Sequence, residues 1–234
     1  MAKGDKAERT RQGILDSALG LITEEGFEKA TIRAIAKRAG ISPGAAYYYF
    51  ETKEHIIHAF YEKTSIIFQK SALAGIEESE DLADGLRTVL EAQFHTSAPY
   101  HAVSRLLYRA ASDPDSPLSP LSEESREMRN ECIDLYRRLL DRHAPKANVR
   151  THGTLPVVLW FLHMGLIVYW IHDKSPSARK TFKLIGKICG FIARIIKFST
   201  LKVASPLVRS GLVILEEFPL FQEHIIEKEK PANS

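Results

Sequence analysis

Between Glu8 and Glu25 the apolar residues Ile14, Ala18 and Ile22 recur every four positions, with Leu15 and Leu19 beside them. This spacing predicts an amphipathic helix with one buried face. Gly26 ends it, because glycine adopts the left-handed stop conformation without steric cost. Ile32, Ile35, Ala36 and Ala39 then fall at offsets 0, 3, 4 and 7, which predicts a two-turn helix opened by Thr31 and closed by Gly40. Ser42-Pro43 opens a third helix: the hydroxyl accepts orphan amides and proline suits the first helical position. That helix is short and carries Tyr47, Tyr48, Tyr49 and Phe50. Thr52 caps a fourth, which runs through His55, Phe60 and Ile67.

The later pattern is again helical. Leu82 to His95 forms one element, stopped by Pro99, and Tyr100 to Ala111 another. Asp113 to Pro120 (DPDSPLSP) reads as a loop. Ser122 to Arg142 turns Met128, Cys132, Leu135 and Leu139 inward. Thr154 to Ile171 is almost wholly apolar. Ser177 to Phe198 places Leu184, Ile188, Phe191, Ile192 and Ile195 on one face, with Lys180, Lys183, Lys187 and Arg194 away from it. A last helix starts near Pro206. No strand-like alternation persists and no internal repeat is present, so the fold class is all-α. The 17-residue run from Leu155 to Ile171 sits at the lower limit for a membrane span and contains Pro156 and His163. It reads instead as a helix buried on two sides, by its own core and by a partner subunit.

Composition narrows the classes. A chain of 234 residues, 44% apolar and 26% charged, buries a core without staples and is not disordered. Cys132 and Cys189 form no C-x-x-C pair, which argues against a disulfide framework or a cysteine-based zinc site. The start, MAKGDKAERTRQ, has no apolar stretch behind its basic residues, so a reduced, cytoplasmic protein is expected. The nine histidines show no metal spacing, and no G-x-S-x-G or phosphate-binding glycine loop occurs. The expectation is no enzyme, no metal and no cofactor. The net charge of +3 is unevenly spread: residues 174–209 hold nine basic groups and no acid. That stretch reads as a solvated helix face, with an anionic ligand group as the alternative.

The second and third helices, joined through Gly40, make a helix-turn-helix candidate. Three consecutive tyrosines on a short helix cannot all face a core, since a helix turns about 100° per residue. Exposed rings beside Arg33, Lys37, Arg38 and Lys53 suit sugar–phosphate packing with charge neutralisation. Pro43, Gly44 and Ala45 are nearly without side chains, so the helix start can approach base edges in a major groove.

The segment GFEKATIRAIAKRAGISPGAAYYYFETKEHI resembles the DNA-binding region of the TetR (tetracycline-repressor) family of bacterial transcription regulators. The resemblance covers about residues 10–60. It rests on Gly26-Phe27, Thr31-Ile32-Arg33, Ile35-Ala36, Ala39-Gly40-Ile41-Ser42, Gly44, Tyr47, Tyr49-Phe50 and Lys53-Glu54. One departure is Ala46, where the family usually has a larger aliphatic. The resemblance implies that Pro43, Gly44 and Tyr47 face bases, with Ser42 at the same helix start. It implies that Thr31, Tyr48, Tyr49 and Lys53 meet phosphates and that Arg33 reaches a base or a phosphate. Arg9 and Arg11 are candidates for flanking phosphate contacts, and Phe50 for the core.

By the same resemblance, residues 1–53 form a helix-turn-helix DNA-binding domain and residues 54–234 a helical effector-binding and dimerisation domain. The implied partners are double-stranded DNA with a palindromic operator, a small, largely apolar effector, and a second copy of the chain, with no membrane. The implied effector pocket draws on Phe94, Leu107, Tyr108, Met128, Tyr136, Trp160 and His163. The implied dimer interface draws on Trp160, Leu166, Tyr169, Ile188, Phe191 and Ile195. For each pocket residue, ordinary core packing is the alternative.

Overall fold

The computed structural model describes residues 3–145 and 149–199. The helix expected from Pro206 lies outside them. Among the described residues there are nine α-helices and no strand: α1 Lys3–Glu25, α2 Ile32–Arg38, α3 Pro43–Tyr49, α4 Lys53–Glu78, α5 Leu82–Ser97, α6 His101–Ala111, α7 Arg126–His143, α8 Val149–His172 and α9 Arg179–Ser199. The caps read from the sequence are formed. Thr31 Oγ1 accepts from the Ala34 amide, Ser42 Oγ from Ala45 and Thr52 Oγ1 from His55, each at 3.2 Å. Gly26 and Gly40 have φ of 89° and 69°, the left-handed region where a side chain would be strained.

Two elements start elsewhere than the sequence predicts. The α7 helix begins at Arg126 instead of Ser122. Before it, the hydroxyls of Ser116, Ser119 and Ser122 accept the amides of Leu118, Leu121 and Ser125, so local turns take the donors that a helix would use. The α8 helix begins at Val149 and encloses Pro156 within its early turns.

The described residues group into two compact units. The first comprises the chain up to Ile67 together with Ser97–Arg129. Its core joins Ile14, Ala18 and Ile22 of α1, Ile35 and Ala36 of α2, Ala46 of α3, Ile56, Ile57 and Phe60 of α4, and Val103 and Leu107 of α6. Leu118, from the turn region, closes it. Helices α1 to α3 alone bury little apolar surface, and here α4, α6 and the segment behind α6 supply the cover. His58 Nε2 and the Pro117 carbonyl are 2.7 Å apart, and the Arg129 guanidinium donates to the carbonyls of Pro120 and Ser122.

The second unit comprises Phe68–Thr96 and the chain from Asn130 onward. Phe68, Leu86, Leu90, Phe94, Ile133, Tyr136, Leu139, Trp160, Trp170 and Ile185 form its core. The α4 and α5 helices cross closely: a Cβ on Gly75 would lie 1.9 Å from Thr88 Cγ2, so only glycine fits without a shift. The turn between α8 and α9 is built on buried Asp173. Its carboxylate accepts from the amide and hydroxyl of Ser175, and from the amide and hydroxyl of Thr181. Burial would raise its pKa, but these four donors outweigh that and hold it well below the usual carboxylate range. Ser177 and Ala178 follow with φ of 50° and 52°, a left-handed bend that non-glycine residues rarely adopt. The α8 segment Gly153–His172 is long and apolar enough to cross a membrane, and half of that window is buried inside the protein.

Candidate nucleic-acid interface

The turn between α2 and α3 is fixed from within: the Ile41 amide donates to the Ala36 carbonyl at 3.1 Å, and Ile35, Ala36 and Ala46 are fully buried. Buried Ala46 lets α3 sit down on α2, which accounts for a small residue at that position. The outward side of α3 then presents Ser42, Pro43, Gly44, Tyr47 and Tyr48. Tyr47 is 51% and Tyr48 84% exposed, unusual for large aromatic rings. Tyr49 is half-buried and meets Tyr48 edge to face at 5.3 Å. A methyl group added at Gly44 would meet nothing within 4 Å, so the fold itself makes no demand for glycine there. Thr31, Arg33 and Lys37 are exposed on and before α2.

Two cations read as phosphate ligands are engaged inside the unit. Arg38 makes a two-pronged pair with Glu24, at 2.6 and 2.7 Å, and lies across Gly20, whose added Cβ would come within 2.7 Å of it. The pair holds the Glu24 carboxyl below its usual pKa, mainly through that hydrogen bond. Lys53 donates to the Phe27 carbonyl and lies over the Phe27 ring. Arg11 likewise sits 5.2 Å above the ring of Phe50, itself a core residue. These partners come from distant parts of the chain, so no local signal reveals them.

The residues expected to line a pocket are divided between the units. Phe94, Tyr136, Trp160 and His163 are buried together in the second unit. Leu107 belongs to the core of the first unit and Tyr108, on the same helix, is exposed. Met128 is half-buried and also in the first unit. Leu107, Tyr108 and Met128 thus fall in the first unit and the other four residues in the second.

The expected interface set also divides. Trp160 and Leu166 are buried inside their own unit and present nothing to a second subunit, which removes them. Tyr169, Phe191 and Ile195 are exposed and Ile188 is half-buried. Phe161 and Phe198 are exposed as well. Along α9, Leu184, Ile188, Phe191, Ile195 and Phe198 step by four and three residues, while Ile185, Cys189 and Ile196 face the core. The helix thus carries two apolar stripes, one inward and one a heptad-spaced seam that is half-buried at Leu184 and Ile188 and exposed at Phe191, Ile195 and Phe198. The sequence pattern shows the outer stripe, with Ile192 beside it, and misses the inward one of Ile185, Cys189 and Ile196. The basic residues Lys174, Arg179, Lys180, Lys183, Lys187, Arg194 and Lys197 are all exposed.

Comparison with known proteins agrees with this layout. Residues 85–211 match the tetracyclin repressor-like C-terminal domain, and residues 14–60 match the bacterial regulatory proteins of the tetR family. The fatty acid metabolism regulator protein of Bacillus subtilis (strain 168) is 27% identical over 128 residues, 55% of this chain and 62% of that protein. The chain thus spans less than two thirds of that relative's length. The fatty acid degradation regulator FadR from Bacillus halodurans shares the fold, with a TM-score of 0.60 and 19% identity over 77% of this chain and 94% of that one. The transcriptional regulator FadR from Bacillus subtilis, solved in complex with stearoyl-CoA, superposes with a TM-score of 0.54 at 20% identity over 76% and 96%. With a helix-turn-helix at one end, a helical domain behind it and family matches across both, the chain belongs to the TetR family of bacterial transcription regulators.

Proposed function

We propose that this protein is a cytoplasmic, ligand-responsive repressor that binds a palindromic operator as a homodimer and leaves it when a small, largely apolar effector binds. The observation that carries the reading is the outward face of α3. Exposed tyrosines and a side-chain-free start, which nothing in the fold requires, are suited to a major groove. In this reading Pro43, Gly44 and Tyr47 meet bases, and Thr31, Ser42, Tyr48, Tyr49 and Lys53 meet the backbone, with Arg33 at either. The exposed seam of α9, with Phe161 and Tyr169 of α8, pairs with its copy across a two-fold axis. A symmetric dimer then reads half-sites about 34–36 Å apart or a multiple of that.

The effector occupies the second unit, where Phe94, Tyr136, Trp160 and His163 cluster. The stearoyl-CoA bound by the Bacillus subtilis neighbour supports an acyl thioester as the first class to test. Effector and operator oppose each other by a coupling of about 1–3 kcal/mol, roughly 5–150-fold in affinity. Selection of bound sequences from a random DNA pool tests the operator, with an inverted repeat expected. A ligand found by thermal shift is then titrated with and without that operator. Equal ligand affinity in both titrations rejects the responsive part of the reading.

A further inference from the structure

His163 on α8 is 1% exposed and makes hydrogen bonds through one side of its ring only. Its Nδ1 lies 3.1 Å from the Tyr136 hydroxyl and 3.6 Å from Cys132 Sγ, both on α7. Its Nε2 is buried with no hydrogen-bond partner among the described residues. Phe68 of α4 and Phe94 of α5 approach the ring edge-on, at 5.6 and 6.5 Å, and Trp170 packs on Phe94 at 5.7 Å. Aromatic rings from α4 and α5 therefore pack against the imidazole that carries this orphaned atom.

The state of that atom follows from its neighbours. Burial lowers the His163 pKa to about 4, so the ring is neutral near pH 7. A neutral imidazole has one N–H and one bare nitrogen. The Tyr136 O–H and the Cys132 S–H can both donate to a bare Nδ1, whereas a proton on Nδ1 would leave the buried Tyr136 O–H without that acceptor. With Nδ1 as acceptor, the proton resides on Nε2. A buried N–H without an acceptor costs about 1–3 kcal/mol, and no described residue of the surrounding core supplies one.

We infer that the Nε2–H of His163 is the recognition donor for the neutral carbonyl oxygen of an effector whose body is apolar. This rests on the effector reading above and names the group that the site selects. Phe68, Phe94 and Trp170 suit a hydrocarbon chain, and Nε2 suits one acceptor. A free carboxylate is disfavoured, because no cation accompanies His163 among the described residues of the cluster and burying an unpaired charge is costly. Tyr136 is a positioning residue: its O–H holds the proton on Nε2.

The test uses the full chain and three probes: dodecanoyl-CoA, its thioether analogue S-dodecyl-CoA, which lacks the carbonyl, and free dodecanoate. Calorimetry is expected to show dodecanoyl-CoA binding about tenfold tighter than S-dodecyl-CoA, the effect of one hydrogen bond of roughly 1.4 kcal/mol. Dodecanoate is expected to bind more weakly than dodecanoyl-CoA. In His163→Phe the thioester and thioether should bind equally, whereas His163→Gln, which keeps an N–H donor, should retain part of the preference and serves if the phenylalanine variant does not fold. With ¹⁵N-labelled histidine, the His163 Nε2–H resonance should move with dodecanoyl-CoA and not with S-dodecyl-CoA. In Tyr136→Phe the free protein should show Nε2 partly unprotonated.

Equal affinity of wild type for thioester and thioether, a preference that survives in His163→Phe, or binding of neither probe would overturn the inference. Operator release, followed by fluorescence anisotropy, separates this from the repressor reading. If thioester and thioether release the operator alike, this inference fails and the repressor stands. If the preference depends on His163 but the operator stays bound, the repressor reading fails and this inference stands.

Discussion

The Lys53 ammonium lies 4.0 Å from the centre of the Phe27 ring and donates to the Phe27 carbonyl at 3.2 Å. The start of α4 is thereby tied to the turn that follows α1. An ammonium has three N–H donors; one serves the Phe27 carbonyl and the exposed Glu28 carboxylate lies 3.9 Å away, so a phosphate can take the place of Glu28 while the ring contact holds. Lys53→Ala should therefore fail twice. Loss of the ring contact and hydrogen bond is expected to cost about 1 kcal/mol, a fall in Tm of about 2–4 °C. DNA affinity should drop alike on specific and random sequences, with the salt slope reduced by about one per subunit. Calorimetry and salt-dependent anisotropy check both. A lower Tm with an unchanged slope would leave Lys53 a structural residue only.

Gly44 and Tyr47 should behave as readers that the fold does not need. Gly44→Ala is expected to keep or raise stability, by up to about 0.5–1 kcal/mol, because alanine suits a helix better than glycine. It should still weaken operator binding, since the added methyl intrudes between α3 and the groove. Tyr47→Ala is expected to cost about 1–3 kcal/mol per site on the preferred operator and less on random DNA. Parallel binding and urea titrations reveal whether stability and affinity separate.

Phe191 is 59% exposed in the middle of the α9 seam. Phe191→Asp is expected to give a folded monomer at micromolar concentration by sedimentation, with circular dichroism unchanged. It should also lose the steep operator affinity that two joined readers provide. Arg194→Asp, on the same helix but off the seam, should remain a dimer.

Stability should fall on mild acidification. The folded His163 has a pKa near 4 against an ordinary 6.5. Below pH 6.5 the unfolded chain takes up a proton that the folded chain refuses, so stability is full above 6.5 and declines as pH falls towards 4. Between pH 7 and pH 5 the loss is about 2 kcal/mol. His143, lowered by burial and then by Arg142, adds in the same direction. Asp173 acts in a lower window: its contribution is intact above the ordinary value of 3.8 and is lost below it. Urea unfolding at pH 7 and pH 5 should show the loss in wild type and a smaller one in His163→Gln.

The reader was legible in sequence because its information is local. Apolar spacing, the Thr31 and Ser42 caps and the glycine stops all act within a few residues, and each has the role in the structure that its chemistry dictates. The allegiance of α6 was not legible. Leu107 and Val103 would pack as well against any apolar face, and only the close fit to α1 assigns them. The ion pair of Arg38 with Glu24 and the ring contact of Lys53 join residues 14 and 26 positions apart, so both cations read as free. Asp173 escaped notice for the same reason that makes it effective. It is one acid next to a basic stretch, and its role depends on four donors brought to it by a bend.

The empty space beyond Gly44 has an evolutionary meaning. The outer positions of α3 can change without disturbing Ile35, Ala36 or Ala46 beneath them. Target choice and foldability are then inherited on separate residues. A duplicated gene can drift to a new operator by single substitutions along this face, each intermediate still folded and soluble. A designer can recode the same face by saturation mutagenesis without first stabilising the scaffold.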